Sequence, residues 1–129
     1  MNSVFSRIIN KELPCYLISE NKFAISFMDI NPIAIGHVLV VPKVEVDYIF
    51  DLDPDVYHNL WDFTKKVSCA LQKTISCERI SISVIGLDVP HAHVHLVPIN
   101  NISDVDFSNK IKITPIQLEK LAKKISSNI

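Results

Sequence analysis

Charge of either sign is not in excess: 13 Lys and Arg face 14 Asp and Glu, for a formal net charge of -1. That balance excludes an extended cationic face. Duplex DNA and an anionic membrane are therefore not expected partners, while a small phosphorylated ligand remains open. Long apolar runs are missing too. No stretch approaches the roughly 18 uninterrupted apolar residues that cross a bilayer. The start, MNSVFSRIINKELP, has no charged head leading into an apolar core and cleavage site, so a cytosolic protein is expected. Cys15, Cys69 and Cys77 are odd in number and form no Cys-x-x-Cys pair. This argues against a disulfide framework or a thiolate zinc site and leaves them as small buried hydrophobes. Glycine is also scarce, with only Gly36 and Gly86 present. Those are the two positions where the backbone most freely takes positive φ or comes close to a ligand.

A chain of 129 residues makes one domain, 1–129, able to bury roughly two-thirds of its unfolded surface. Ser3 caps a short helix through VFSRIINKE, ended by the Leu13-Pro14 step. CYLISE and KFAISFMD have β-rich composition and form a hairpin about Glu20-Asn21. Beyond NPIAIG, HVLVVP is nearly all apolar, as for a central strand covered on both faces. From Asp53 and Pro54, suited to the N-cap and first turn, Val56, Leu60, Phe63, Val67, Leu71 and Ile75 recur at helical spacing. RISISVI and HVHLVP supply two more strands. Thr114-Pro115-Ile116-Gln117 is a capping box opening a last helix over about 115–127. The order helix, three strands, helix, two strands, helix predicts an α+β domain with a mainly antiparallel sheet.

HAHVH, His91 to His95, puts three of the chain's five histidines at alternate positions. On a strand, His91, His93 and His95 share one face, and Ala92, Val94 and Leu96 the other. Same-face neighbours then stand about 7 Å apart and the outer pair about 13 Å. One metal ion, with bonds near 2 Å, takes two such imidazoles but not three unless the strand bends. A row suits an extended substrate better, such as a phosphate and its neighbours. A purely structural row is the weaker alternative, because three buried rings each need hydrogen-bond partners and a solvent face is more cheaply made of Thr, Lys or Glu.

His37 directly follows Gly36, and Gly86 precedes the run by five residues. Together they point to loops before two strands shaping one pocket, with His37 entering beside the triad. Gly36 serves equally well as a plain turn after Pro32. Imidazole, with an ordinary pKa of about 6.5, is a nucleophile near neutrality, and neighbouring imidazoles oppose each other's protonation. Attack on phosphorus gives a phosphoramidate that breaks again readily. That is covalent catalysis in two steps, with flanking rings holding oxygens or moving a proton.

VPHAHVHLVP resembles the His-x-His-x-His motif of the histidine triad (HIT) nucleotide hydrolases and transferases. FSRIINKELPCYLISENKFAISFMDINPIAIGHVLVVPK is similar to the N-terminal half of the same family. The similarity spans roughly residues 3–100 and is nearest in pattern to the purine nucleoside phosphoramidase branch. It implies a five-stranded antiparallel sheet with helices, pairing through the long helix and one strand into a homodimer with a ten-stranded sheet. It also implies a hydrolase that binds purine nucleotides and cleaves at the α-phosphate, with no cofactor or metal. AMP or GMP is released from phosphoramidates, acyl adenylates or dinucleoside polyphosphates. By this resemblance His93 is the nucleophile, His91 and His95 orient the ring and contact phosphate, and His37 assists. Asp29 falls where ribose hydroxyls are held, or is a turn carboxylate before Asn31-Pro32. Phe5, Ile8, Leu13, Phe27 and Ile30 fall where the purine is sandwiched, although pattern alone makes all five core residues.

Many members precede the triad with a longer loop of the type Asn-x-Gly... Ala-Gly-Gln-Ser/Thr-Val. Here the stretch is VIGLDVP. Gly86 and Val89 keep their places, Leu87 replaces the Gln, and Asp88 replaces the Ser or Thr, so Gly86 and Asp88 are expected at the phosphate. A carboxylate there repels phosphate unless protonated or turned away. Asp88 could instead fix a histidine tautomer or accept from a basic leaving group such as a lysine amine. Ser3 and Ser6 stand where zinc-containing members carry Cys-x-x-Cys, so no structural zinc is expected. Two alternatives remain: a metal held by two triad histidines with His37, and a nucleotide-binding or scaffold protein whose turnover was lost with Leu87 and Asp88. The tail beyond the triad carries no readable signal for substrate choice.

Overall fold

Side-chain alternation along the strands builds two unequal cores, one on each face of a single sheet. The computed structural model describes residues 2–129. Its helices are α1 (Val4–Ile9), α2 (Pro54–Thr74) and α3 (Pro115–Ser126). Its strands are β1 (Leu17–Glu20), β2 (Ala24–Met28), β3 (Val38–Pro42), β4 (Arg79–Ser83) and β5 (Val94–Ile99). They form one five-stranded sheet in the order β1-β2-β3-β5-β4, and every pairing is antiparallel. Ala24, Met28, Val38, Val40, Val94 and Leu96 feed the larger core, meeting Leu60, Phe63, Val67 and Leu71 of α2 and Leu118, Ala122 and Ile125 of α3. Ile25, Phe27, Leu39 and Val41 feed the smaller core, closed by Phe5 of α1. Buried throughout, β2 and β3 carry residues for both cores, which is why their sequences are apolar but for Ser26, whose hydroxyl bonds to Ser19.

The helix signals hold in their chemistry. Thr114 Oγ1 accepts from the Gln117 amide while Gln117 Oε1 accepts from the Thr114 amide, a complete capping box. Ser3 caps α1 through the Ser6 amide. Asp53 occupies the N-cap of α2 with Pro54 behind it, but its side chain makes no capping bond. Helix α1 ends at Ile9, earlier than the Leu13-Pro14 step suggested, because Asn10 caps it and Lys11 turns the chain at φ 66°. Strand β4 stops at Ser83, short of Val84-Ile85.

HAHVH is not one strand, which corrects the expectation of a straight row: β5 begins only at Val94. The Ala92 amide bonds to the Val46 carbonyl and the His91 ring to the Pro42 carbonyl, so this segment is held by the loop after β3 and by its last residue. The cysteines also differ from expectation, since Cys69 is exposed and Cys15 and Cys77 are only partly buried. Gly36, at φ +91°, does not wall a ligand pocket. A Cβ there would stand 3.0 Å from Ile75 Cγ1 and 3.1 Å from Pro98 Cγ, so it marks close packing in the larger core. Among the described residues no helix is long and apolar enough to cross a membrane.

Candidate active site

The smaller-core face of the sheet opens into a cleft of ≈ 850 Å³. Phe5 and Ile8 enter it from α1, Phe27 from β2, and Asp29 and Ile30 from the turn that follows. Asp88, His93 and His95 line it from the other side. His91 and His37 lie behind this lining, both fully buried. Leu13 and Gly86, expected at the ligand, do not line the cleft. The early end of α1 gives Leu13's place to Pro14, Cys15 and Tyr16. Gly86 sits at φ +71° with open space around a built Cβ, so it serves the turn and not a close approach.

Fixed backbone groups decide the proton on three of the four clustered rings, and His37 decides it on the fourth. His93 Nδ1 is 2.7 Å from the His91 carbonyl oxygen. A carbonyl only accepts, so Nδ1 carries the proton and Nε2 keeps a lone pair. That Nε2 has no hydrogen-bond partner among the described residues. His91 Nε2 donates to the Pro42 carbonyl at 2.8 Å, leaving its Nδ1 to accept from the Ser3 hydroxyl at 2.7 Å. His37 Nδ1 accepts from the Ile33 amide at 3.1 Å, which puts the proton on Nε2. That Nε2–H donates to His95 Nδ1 at 3.0 Å. His95 is left with an Nε2–H as the donor it can offer at the cleft. A lone pair on His93 and a donor on His95 thus sit side by side, ring centroids 5.0 Å apart.

Burial keeps the surrounding rings neutral. It pushes His37 and His91 below the usual imidazole value, and it takes His95 down to about 4, with His37 and His93 adding to the effect. Asp88 Oδ1 accepts from the Val89 amide and lies 3.3 Å from His93 Nε2, off hydrogen-bond alignment. Partial burial works to raise the Asp88 carboxyl, but the opposing contributions, led by the Val89 amide, hold the group below its ordinary value. Asp29 is a turn carboxylate with one oxygen left over at the cleft. Its Oδ1 accepts from the Asn31 amide at 2.8 Å, as a turn carboxylate does, while Oδ2 stands 3.4 Å from His37 Nε2 at the cleft wall.

Asp29, His37 and His95 bring one ligand atom each within 4.8 Å of one another. The Ile33 amide blocks the simple metal reading, because a cation on His37 Nε2 would have to displace the proton that Nδ1 cannot take up. The group fits a chain of hydrogen bonds. Zinc also has no thiolate donors at the N-terminus: the Ser3 and Ser6 hydroxyls bond to His91 and Glu45 instead.

Two cleft residues came from the tail that carried no readable signal for substrate choice. Phe107 packs edge-on against His95, centroids 4.8 Å apart, and Lys110 is, among the described residues, the only Lys or Arg lining the cleft. The bond from the Ile111 amide to the Pro32 carbonyl, 2.9 Å, holds this segment beside the Asp29 turn. A lone aromatic in the polar stretch DVDFSNK was the available signal.

A two-core sheet carrying a buried histidine cluster at the mouth of an apolar cleft defines a histidine triad protein. The HIT domain model matches residues 10–102, and the chain belongs to that family. It is 32% identical over 98% of its length, and 97% of the relative's, to an uncharacterized HIT-like protein of Borreliella burgdorferi. To adenosine 5'-monophosphoramidase hnt1 of Schizosaccharomyces pombe it is 27% identical, with 100% of this chain and 99% of the relative covered. The fold superposes on a Hit-like protein from Bartonella henselae with a TM-score of 0.88 and 28% identity, covering 99% of this chain and 96% of that one.

Proposed function

We propose that this chain hydrolyses purine nucleotide conjugates at the α-phosphate, phosphoramidates such as adenosine phosphoramidate or lysyl-AMP linked through the lysine amine foremost, through a nucleotidyl-histidine intermediate on His93. The observation that carries the reading is the His93 ring, held by its Nδ1–H at 2.7 Å with Nε2 left unpaired at the cleft. Nε2 attacks phosphorus, the P–N bond breaks, and the leaving nitrogen takes a proton from solvent to depart as an amine. Water then attacks phosphorus, the P–Nε2 bond breaks, and AMP and a proton are released. The His91 carbonyl stabilises the ring cation through Nδ1–H, and His95 donates from Nε2 to a phosphoryl oxygen with His37 fixing its tautomer. Asp29 Oδ2 accepts from ribose hydroxyls, and the purine lies among Phe5, Ile8, Phe27 and Ile30.

Asp88 supports a basic leaving group. An anion 3.3 Å from the attacking nitrogen repels a pyrophosphate-like group and attracts an ammonium. Residues 1–129 act in this reading as one cytosolic domain, without a nucleic-acid polymer or membrane as partner.

A homodimer with a ten-stranded sheet belongs to the same proposal. Strand β4 is a sheet edge with Ile82 exposed. A second copy would cover that edge. Sedimentation should show a dimer that Ile82→Lys dissociates.

The chemical test is intact mass after rapid quenching with adenosine phosphoramidate, which should show an AMP adduct absent from His93→Ala. A His93→Ala protein as fast as the parent sinks the reading. The second reading, a nucleotide-binding protein with little turnover, draws on Asp88 standing where phosphorus must approach. Tight AMP binding with no turnover of adenosine phosphoramidate, lysyl-AMP or diadenosine polyphosphates would favour it.

A further inference from the structure

Ser3 lies outside the cleft, yet its hydroxyl closes a chain of hydrogen bonds ending at His93. His91 is fully buried, and its Nε2–H is committed to the Pro42 carbonyl. Its Nδ1 therefore needs a donor. The Ser3 hydroxyl supplies one at 2.7 Å while accepting from the Ser6 amide at 3.0 Å. The Ser6 hydroxyl cannot stand in, since it is 3.5 Å away and spends its proton on Glu45 Oε1 at 2.7 Å. Glu45 Oε1 also accepts from the Ser3 amide at 2.6 Å, tying the start of α1 to the loop after β3. From His91 the chain continues through its carbonyl to His93 Nδ1 at 2.7 Å.

We infer that Ser3 is a positioning residue: by locking the His91 ring it holds the His91 carbonyl where it fixes the tautomer and aim of His93. The inference rests on the hydrolase reading for its kinetics but not for its structure. It also couples substrate binding to the nucleophile. Phe5, two residues along, has its ring centroid 5.8 Å from His91 and 5.0 Å from His93, so movement of α1 is felt at both.

Three substitutions separate this role from simple helix capping. Ser3→Thr keeps a hydroxyl that both caps and donates. Ser3→Asp still accepts from the Ser6 amide but cannot donate to His91. Ser3→Ala does neither. Ser3→Ala and Ser3→Asp should each lower kcat by about tenfold or more, with KM of the Asp variant within about twofold of the parent and Ser3→Thr restoring both.

Imidazole nitrogen NMR gives the readout that capping alone does not move. His93 should be purely the Nδ1–H tautomer in the parent and Ser3→Thr, and a mixture of tautomers in the other two. Parental kcat in Ser3→Asp, or an unchanged His93 tautomer in both Ser3→Ala and Ser3→Asp, overturns the inference. If the parent turns over no substrate, the hydrolase reading fails separately and the NMR result alone decides the role of Ser3.

Discussion

His37 Nε2 and His95 Nδ1 stand 3.0 Å apart, and the Ile33 amide on the far side of His37 decides which of them donates. With that amide filling His37 Nδ1, the bond runs one way and the His95 proton is left on Nε2. Phe107 covers both rings, with centroids 4.8 Å from His95 and 6.0 Å from His37. Burial under this cover keeps the pair neutral, so His95 lines the cleft as a hydrogen-bond donor and not as a cation.

His37→Leu should therefore damage stability and turnover together. It strands the buried His95 Nδ1 without a donor, at a cost of about 1–3 kcal/mol in unfolding free energy. It also frees His95 to take the other tautomer, which should lower kcat by about tenfold or more. His37→Gln, whose amide can still donate, should recover part of each loss. Thermal unfolding and steady-state kinetics on the two variants check this. Equal kcat in His37→Leu and the parent would remove His37 from the mechanism.

Stability should fall as the solution is acidified from neutrality. His95 has a folded value of about 4, against roughly 6.5 when unfolded. Between those values the unfolded chain binds more protons, so stability rises with pH and is lost as pH falls through the window. The slope from His95 alone is at most about 1.4 kcal/mol per pH unit, vanishing below about 4. His37 and His91 are shifted in the same direction and add to it. Urea denaturation at pH 7.5, 6.0 and 5.0 measures the trend, and a flat profile contradicts the neutral, buried cluster.

Legibility followed how local each signal was. The capping box at Thr114, the helical spacing from Val56 to Leu71 and the unbroken apolar run of β3 are near-neighbour patterns, and each survives in the structure. The histidines were legible by residue type and alternation even though β5 begins at Val94, because Ala92, Val94 and Leu96 still face the larger core. Their protonation was not. It is set by the Ile33 amide, the Pro42 carbonyl and the Ser3 hydroxyl, groups brought in from elsewhere in the chain. Phe107 and Lys110 escaped for a related reason: their segment has no period and is held by one backbone bond to Pro32.

The two glycines should respond differently to alanine. At Gly36 the new Cβ meets both positive φ and atoms of Ile75 and Pro98 at 3.0 and 3.1 Å, so about 2–4 kcal/mol of stability should be lost. Gly86 has positive φ but open space, and about 1–2 kcal/mol is expected. Denaturant midpoints decide it. Equal losses would mean that the contact at Gly36 relaxes freely.

Among the described residues, Lys110 is the only Lys or Arg at a cleft that also holds Asp29 and Asp88. Lys110→Ala should weaken AMP binding by about five- to tenfold. Adenosine, which lacks the charge, should bind as before. Calorimetry with both ligands at two salt concentrations checks this. A loss shared equally by adenosine would make Lys110 a packing residue.

On the proposed reaction, Asp88 should set the leaving group by charge. It is held ionised at neutral pH, 3.3 Å from His93 Nε2, with its side chain two-thirds exposed. Solvent therefore screens its repulsion of an anionic leaving group to around 1 kcal/mol, or about five- to tenfold in rate. Asp88→Asn keeps the size and removes the charge. The ratio of kcat/KM for diadenosine polyphosphate to that for lysyl-AMP should rise by about that factor, from gain on the polyphosphate and loss on the lysine conjugate. If both substrates accelerate alike, the carboxylate only obstructs phosphorus and selects nothing. If neither changes, Asp88 has swung away before the chemistry begins, and selection of the leaving group must come from the exposed rim at Ile85 and Leu87.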